Sequence, residues 1–354
     1  MGLNLYINPI ELTASLVNIP SESHNEKQIV QQIELALHKQ APWLEITRIG
    51  NSILARTKLN RPLRIILAGH VDTVPIINNI PSFIKARELW GCGTSDMKAG
   101  NAVFLYLITT ISKPCYDITL IMYDCEEVEY HANGLSKIKC DLPEWLEANI
   151  AIFGEPSDGF IEAGCQGTMR ISINSVGTRS HSARPWSGSN AIHNLTKVLN
   201  LIREYQPHNM RIENCNYQEC LSAVQINGGI SGNIIPDTAS IIVNFRFIPN
   251  MSIDKAFSHL CKIFKKVEAN VNLIDASEGA LPNLNKPVIN MLLNSTNIGV
   301  RAKYGWTDVA RLTSLGIPSI NWGPGSPNSS HKSDERINVS RVIKFTKILK
   351  NYLS

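Results

Sequence analysis

At 354 residues the chain is longer than one hydrophobic core comfortably supports, so two domains, or one domain carrying a large insertion, are expected. An apolar content of 44% with 18% charged residues is that of a folded protein, and a formal charge of +4 without any basic run argues against a nucleic-acid partner. No apolar run could span a bilayer and the N-terminal stretch lacks the features of a secretory signal, so the expectation is a cytoplasmic protein with no membrane partner.

In chain order, residues 9 to 18 and 26 to 41 carry helical periodicity, with Ile29, Val30, Ile33, Leu35 and Leu37 forming an apolar stripe on the second helix. Three β-branched-rich runs of strand length follow, beginning at Arg64, Ile118 and Ile150, with a helix predicted over Gly100 to Ile111 between the first two. Continuous apolar strands separated by helices predict an α/β layer structure whose sheet is buried on both faces. From about Met169 the pattern changes to one-sided strands and amphipathic helices in the order β, α, β, β, α, β, the split pattern of a ferredoxin-like module. Beyond it, residues 287 to 296 read as a helix and 318 to 322 as a strand. The expected organisation is one catalytic domain, residues 1–175 and 282–354, interrupted by an inserted domain at 176–281.

Five short islands in the larger domain carry metal-ligating residue types: Gly69-His70-Val71-Asp72, Ser95-Asp96-Met97-Lys98, Cys125-Glu126-Glu127, Phe153-Gly154-Glu155-Pro156 and Ser330-His331-Lys332. Three of them follow predicted strands, where α/β sheets place ligands. Each has a bland reading: His70 as a solvated loop histidine, Asp96 as a residue near a helix start, Glu126-Glu127 as an acidic turn. Together they supply two imidazoles, an aspartate able to bridge two ions, two terminal carboxylates and one spare, the inventory of a two-metal hydrolase. Asp72, two residues beyond His70, could hold the far ring nitrogen and fix its tautomer. The eight cysteines show no Cys-x-x-Cys spacing and read as free thiols, with Cys92, Cys125 and Cys165 in or beside islands.

The islands, in this order, resemble those of the dizinc deacylases and exopeptidases that include aminoacylase, acetylornithine deacetylase and glutamate carboxypeptidase. Tyr123-Asp124-Cys125-Glu126-Glu127, Glu162-Ala163-Gly164-Cys165-Gln166-Gly167-Thr168 and the Tyr304 to Arg311 stretch are most similar to the succinyl-diaminopimelate desuccinylase branch in its actinobacterial form. The resemblance covers essentially the whole chain. It implies a zinc-peptidase-like catalytic domain with a mixed sheet flanked by helices, and an inserted lid that forms a homodimer. It further implies two divalent ions, zinc with cobalt or manganese as alternatives, one held by His70 and Glu155, the other by Glu127 and His331, with Asp96 between them. Glu126 would be the general base, Asp72 the support of His70, and His181 an oxyanion donor from the partner subunit. Arg246, Asn233, Thr307 and Gly325 would contact the substrate, an N-acyl amino acid.

Two departures stand out. Where better-known desuccinylases carry an arginine pair, this chain has Cys165-Gln166, and Arg184 is the expected replacement charge. Cys125 stands where many relatives have aspartate, and an inert buried thiol is expected there, with oxidant sensitivity beside the base as the alternative. Acetylornithine or a short peptide remains an alternative substrate. A catalytically idle relative and a cysteine amidase using Cys92 or Cys125 with His70 are alternatives of other classes.

Overall fold

The apolar runs assemble the middle of an eight-stranded mixed sheet in the order Glu45–Ile49, Ser52–Arg56, Asp117–Tyr123, Arg64–His70, Ile150–Pro156, Ser319–Gly323, Ile161–Ala163, Val300–Ala302. Arg64–His70 pairs in parallel with both Asp117–Tyr123 and Ile150–Pro156, and every residue of the latter two is buried. Helices cover both faces, which is why these strands read as unbroken apolar runs rather than alternating ones. The computed structural model describes residues 2–267 and 269–354. Among them, no helix is long and apolar enough to cross a membrane.

The helix Ala99–Thr110 is buried along most of its length and sits close against the sheet at glycine. A Cβ on Gly100 would fall 2.4 Å from the Gly154 carbonyl oxygen, so glycine there lets the helix approach the strand that carries Glu155. In Lys27–Gln40 the buried stripe is Ile29, Val30, Ile33, Ala36 and Leu37. Leu35, expected in it, is 57% exposed, because one hundred degrees per residue carries it to the outer face.

The chain divides into two compact units: one comprises the chain up to Ala163, Asn283–Arg301 and Arg311–Ser354, the other Gly164–Pro282 and Ala302–Ala310. The break therefore falls at 163/164, not at the expected 175/176. The strand Gly167–Val176 is the reason: it lies between Thr238–Phe247 and Val271–Ser277 in the second unit's sheet, with Met169, Ile171 and Ile173 in that unit's core. This antiparallel sheet runs Cys220–Gly228, Thr238–Phe247, Gly167–Val176, Val271–Ser277, the strand order of a split βαββαβ module. Its inward residues pack on the helices Thr196–Arg203 and Ile253–Lys265. The helix expected over 191 to 203 is interrupted at Leu195, and an unpredicted hairpin, Asn209–Ile212 with Cys215–Gln218, is added.

Candidate metal centre

His70 is the last residue of Arg64–His70 and is 1% exposed. Its carbonyl accepts from Asn101 Nδ2 at 2.6 Å, which pins the strand end to the helix Ala99–Thr110. Ring atom Nδ1 lies 3.0 Å from the Asp72 carbonyl and 3.4 Å from Asp72 Oδ1. With Nδ1 so engaged, Nε2 faces Asp96 Oδ1 at 3.2 Å. The Asp72 carboxylate reaches further than the sequence suggested. It accepts from the backbone N–H groups of Glu126 (3.1 Å) and Glu127 (3.0 Å) and from Ser23 Oγ (2.8 Å), so one buried carboxylate supports His70 and anchors the glutamate pair.

Asp96 lies between the two histidines: His331 Nε2 is 3.4 Å from Asp96 Oδ2 and 2.8 Å from Glu127 Oε1. The possible ligand atoms of His70, Asp96 and Glu127 all fall within 4.8 Å of one another. Glu155 is buried near the C-terminal end of Ile150–Pro156, next to Gly154, whose added Cβ would meet Met97 Cε at 2.7 Å. His70, Asp96, Glu127 and His331, from four distant segments, thus converge beside the carboxyl end of Arg64–His70. Gly325 is packed here too, since a Cβ on it would fall 2.0 Å from the Ser95 carbonyl oxygen.

The electrostatics suit a cation. Burial opposes a charged His70, but hydrogen bonds to the Asp72 and Asp96 carboxylates outweigh it and raise its pKa well above the ordinary value. Burial likewise pushes Asp96 up, and His331 and His70 overcome this and hold it well below the usual carboxylate range. Hydrogen bonds to Asp96 and Glu127 push His331 up to about 11. Imidazoles driven to take protons by surrounding carboxylates mark a place where divalent cations can compensate the same negative charge. The donor set, imidazole nitrogen and carboxylate oxygen with a second acceptor behind His70, fits zinc or a similar ion.

Two supporting residues were assigned no role from the sequence, although Lys98 lies in one of the five islands. Glu335 accepts from three backbone N–H groups, Gly93 (2.8 Å), Ser95 (2.8 Å) and Asp96 (3.0 Å). Lys98, 1% exposed, donates from Nζ to the carbonyls of Leu16 (3.1 Å) and Ile19 (2.9 Å), with burial lowering its pKa to about 8. A lone Glu four residues after a histidine, or a Lys two residues after an Asp, shows no such supporting role until the fold is known.

Glu26, Asp124 and Cys125 form a second close group. Their polar atoms are engaged: Asp124 with Ser52 (2.5 Å) and Lys137 (3.2 Å), Glu26 with the His24 N–H (2.7 Å) and Cys125 Sγ (3.3 Å). Burial and the Glu26 carboxylate push the Cys125 thiol up to about 12, and its imidazole neighbour is His24 at 3.5 Å rather than His70. A thiol so poorly ionised is no nucleophile, which removes the physical basis for a cysteine amidase built on Cys125 with His70.

In the second unit, His181, Arg184 and Asn233 share one exposed region. His181 pairs with Ile234, its carbonyl accepts from the Arg184 N–H (2.8 Å), and the Asn233 carbonyl accepts from the Ser182 N–H (3.0 Å). Arg246 is elsewhere in this unit, lining a cavity of about 500 Å³ with Gln166, Arg203, Tyr205 and Tyr304. Burial lowers the Arg246 pKa, and its Nε donates to Asn244 Oδ1 at 3.1 Å. Thr307 is buried, its carbonyl facing Cys165 Sγ at 3.7 Å, and burial pushes that thiol up to about 11.

The family model described as peptidase family M20/M25/M40 matches residues 66–354, which include His70, Asp96, Glu126, Glu127, Glu155 and His331. The chain belongs to this family. It is 50% identical over 351 residues to a Mycobacterium tuberculosis protein with a provisional succinyl-diaminopimelate desuccinylase name, covering 99% of both chains. It is 43% identical over 363 residues to the succinyl-diaminopimelate desuccinylase of Corynebacterium glutamicum, covering 100% of this chain and 98% of the other. Among solved structures, a Staphylococcus aureus tripeptidase superposes with a TM-score of 0.77 at 20% identity, covering 98% of each chain. That likeness extends the M20 fold to the full length of the chain.

Proposed function

We propose that this M20 member is a metal-dependent amide hydrolase that splits N-succinyl-LL-2,6-diaminopimelate into succinate and LL-2,6-diaminopimelate. The observation that carries the reading is the convergence of His70, Asp96, Glu127 and His331 beside an intact Glu126, in a chain alike over its full length to a desuccinylase. Two divalent ions, when bound, supply the positive charge that acidifies water and polarises an amide carbonyl. His70 and Glu155 would hold one, Glu127 and His331 the other, and Asp96 both.

Glu126 is the base that takes the proton from the attacking water and returns it to the leaving amine. Asp72 keeps that base in place through its backbone N–H and keeps His70 in the tautomer that frees Nε2. His181 donates to the developing oxyanion, and Arg246 with Asn233, Arg184, Thr307 and Gly325 reads the substrate's carboxylates and backbone. An idle relative would have no chemical need for Glu126.

A homodimer through the second unit is part of the proposal. Its edge strand Cys220–Gly228 exposes Val224 and Ile226, an unpaired apolar edge of the kind a second copy can cover. A monomer in solution at micromolar concentration would refute that part. The free thiols fit a reducing cytoplasm.

The test is turnover of succinyl-diaminopimelate beside acetylornithine, before and after chelation and after adding back zinc or cobalt. Loss on chelation and recovery on metal addition, with preference for the succinylated substrate, is expected. Chelator-insensitive turnover would refute the metal chemistry, and a preference for acetylornithine would refute the substrate.

A further inference from the structure

We propose that Glu335 is a positioning residue for the metal centre: its buried carboxylate joins the loop carrying Asp96 to the segment carrying His331, and so sets the spacing of those two ligands. The inference rests on the reading that these residues hold metal.

Glu335 is 2% exposed. Oε1 accepts from the Ser95 N–H at 2.8 Å and the Asp96 N–H at 3.0 Å, and Oε2 accepts from the Gly93 N–H at 2.8 Å. Backbone N–H groups turned toward one point make a concave anion-binding nest, and Glu335 fills it. The same residue is tied through its main chain, since its carbonyl accepts from the Gly91 N–H at 3.0 Å. Immediately beyond, Arg336–Asn338 pairs antiparallel with Glu88–Trp90, Arg336 opposite Trp90. Side chain, carbonyl and strand ladder thus fasten residues 335–338 to residues 88–96 at consecutive points.

The consequence for the ligands is geometric. Asp96, held by its own N–H, directs Oδ1 to His70 at 3.2 Å and Oδ2 to His331 at 3.4 Å. His331 is only four residues before Glu335, with the turn between them closed by a Glu335 N–H bond to the Lys332 carbonyl at 3.1 Å. A shift of Glu335 therefore moves the bridging carboxylate and the late histidine relative to each other.

Loop closure alone does not require a charged residue. Three N–H donors aimed at one point favour a full carboxylate there, since a charged acceptor strengthens each bond and a neutral side chain would leave a donor unmatched.

The experiment titrates metal-free protein with Co²⁺, following the visible absorption of the bound ion and the heat of binding. Glu335→Gln is isosteric but turns an NH₂ group toward a backbone donor, and Glu335→Asp keeps the charge while withdrawing it by one bond. Asp117→Asn is the control, a buried carboxylate lost from the far end of the parallel strands, bonded to Thr57, Leu59 and Arg61. Wild type should take up two Co²⁺. Glu335→Gln should bind at least one of them ~10–100-fold more weakly with altered absorption bands, as is usual when a group supporting a ligand is lost. Glu335→Asp should be intermediate, and Asp117→Asn should melt lower yet bind as wild type does. Glu335 variants that titrate like wild type, or weaken no more than the Asp117 control, would overturn the inference. Wild type binding fewer than two ions would instead overturn the metal reading beneath it.

Discussion

Replacing Asp72 with asparagine should damage the protein in two separable ways. The carboxylate is fully buried and accepts from Glu126 N–H, Glu127 N–H and Ser23 Oγ while lying 3.4 Å from His70 Nδ1. Asparagine keeps one acceptor oxygen and turns an NH₂ group toward one of the two backbone donors. A buried donor left unmatched costs about 1–3 kcal/mol, and losing the charge weakens the surviving bonds by roughly 1 kcal/mol more. The sum, about 2–4 kcal/mol, corresponds to a fall of roughly 5–15 °C in Tm for a unit of this size. Losing the acceptor behind His70 should also weaken metal binding ~10–100-fold. Thermal melts of metal-free protein read the first effect and Co²⁺ titration the second. An Asp72→Asn variant that melts within about 1 °C of wild type and binds Co²⁺ equally well would refute the idea that this carboxylate joins His70 to the glutamate pair.

Glu126→Gln should lower kcat by ~10²–10⁴ while leaving Co²⁺ stoichiometry at the wild-type value, since the base is not a ligand; loss of a bound ion would contradict that division of roles. For Asp117, burial raises the pKa, but the Leu59 and Arg61 N–H groups and the Thr57 hydroxyl outweigh it and the net shift is downward. A depressed carboxylate contributes stability above its unfolded pKa and loses it as pH falls through the folded value. The Tm gap between wild type and Asp117→Asn should therefore be full at pH 7 and close below about pH 4, and a gap independent of pH would be inconsistent with this. Iodoacetamide at pH 8 should modify exposed Cys115, Cys140 and Cys220 and spare Cys125 and Cys165, whose thiols burial pushes to about 12 and about 11. Peptide mass spectrometry checks this, and rapid labelling of Cys125 would revive the oxidant-sensitive reading.

Three of the proposed ligands were legible because they follow predicted strands, and buried parallel strands announce themselves as apolar runs. His70, Glu127 and Glu155 are of this kind. Glu335 was invisible because its role is to accept from backbone groups some 240 positions away in sequence, an interaction that any acidic residue could make in the right fold. The strands Glu45–Ile49, at the sheet edge, and Ser52–Arg56 beside it escaped notice because each mixes charged and apolar residues over only five positions. The boundary between units was misplaced although the pattern changes at about Met169: the insert was expected to begin at 176, after Gly167–Val176, and the pairing of that strand with Thr238–Phe247 assigns it to the second unit. Asp72 was half read, since period-two spacing points to His70 but says nothing of Glu126 and Glu127.

The strand Ser319–Gly323 lies between Ile150–Pro156, with which it runs parallel, and Ile161–Ala163, with which it runs antiparallel. On a ribosome this gap cannot close until more than 150 further residues have emerged, including the whole second module. Until then Ile150–Pro156 presents an open edge that is apolar from Ile150 to Phe153, the kind that recruits other nascent chains. His331 and Glu335 arrive later still, so the proposed metal site cannot assemble in its final geometry during synthesis. For anyone expressing the protein, slow growth or chaperone supply during synthesis should matter more to the soluble yield than metal in the medium.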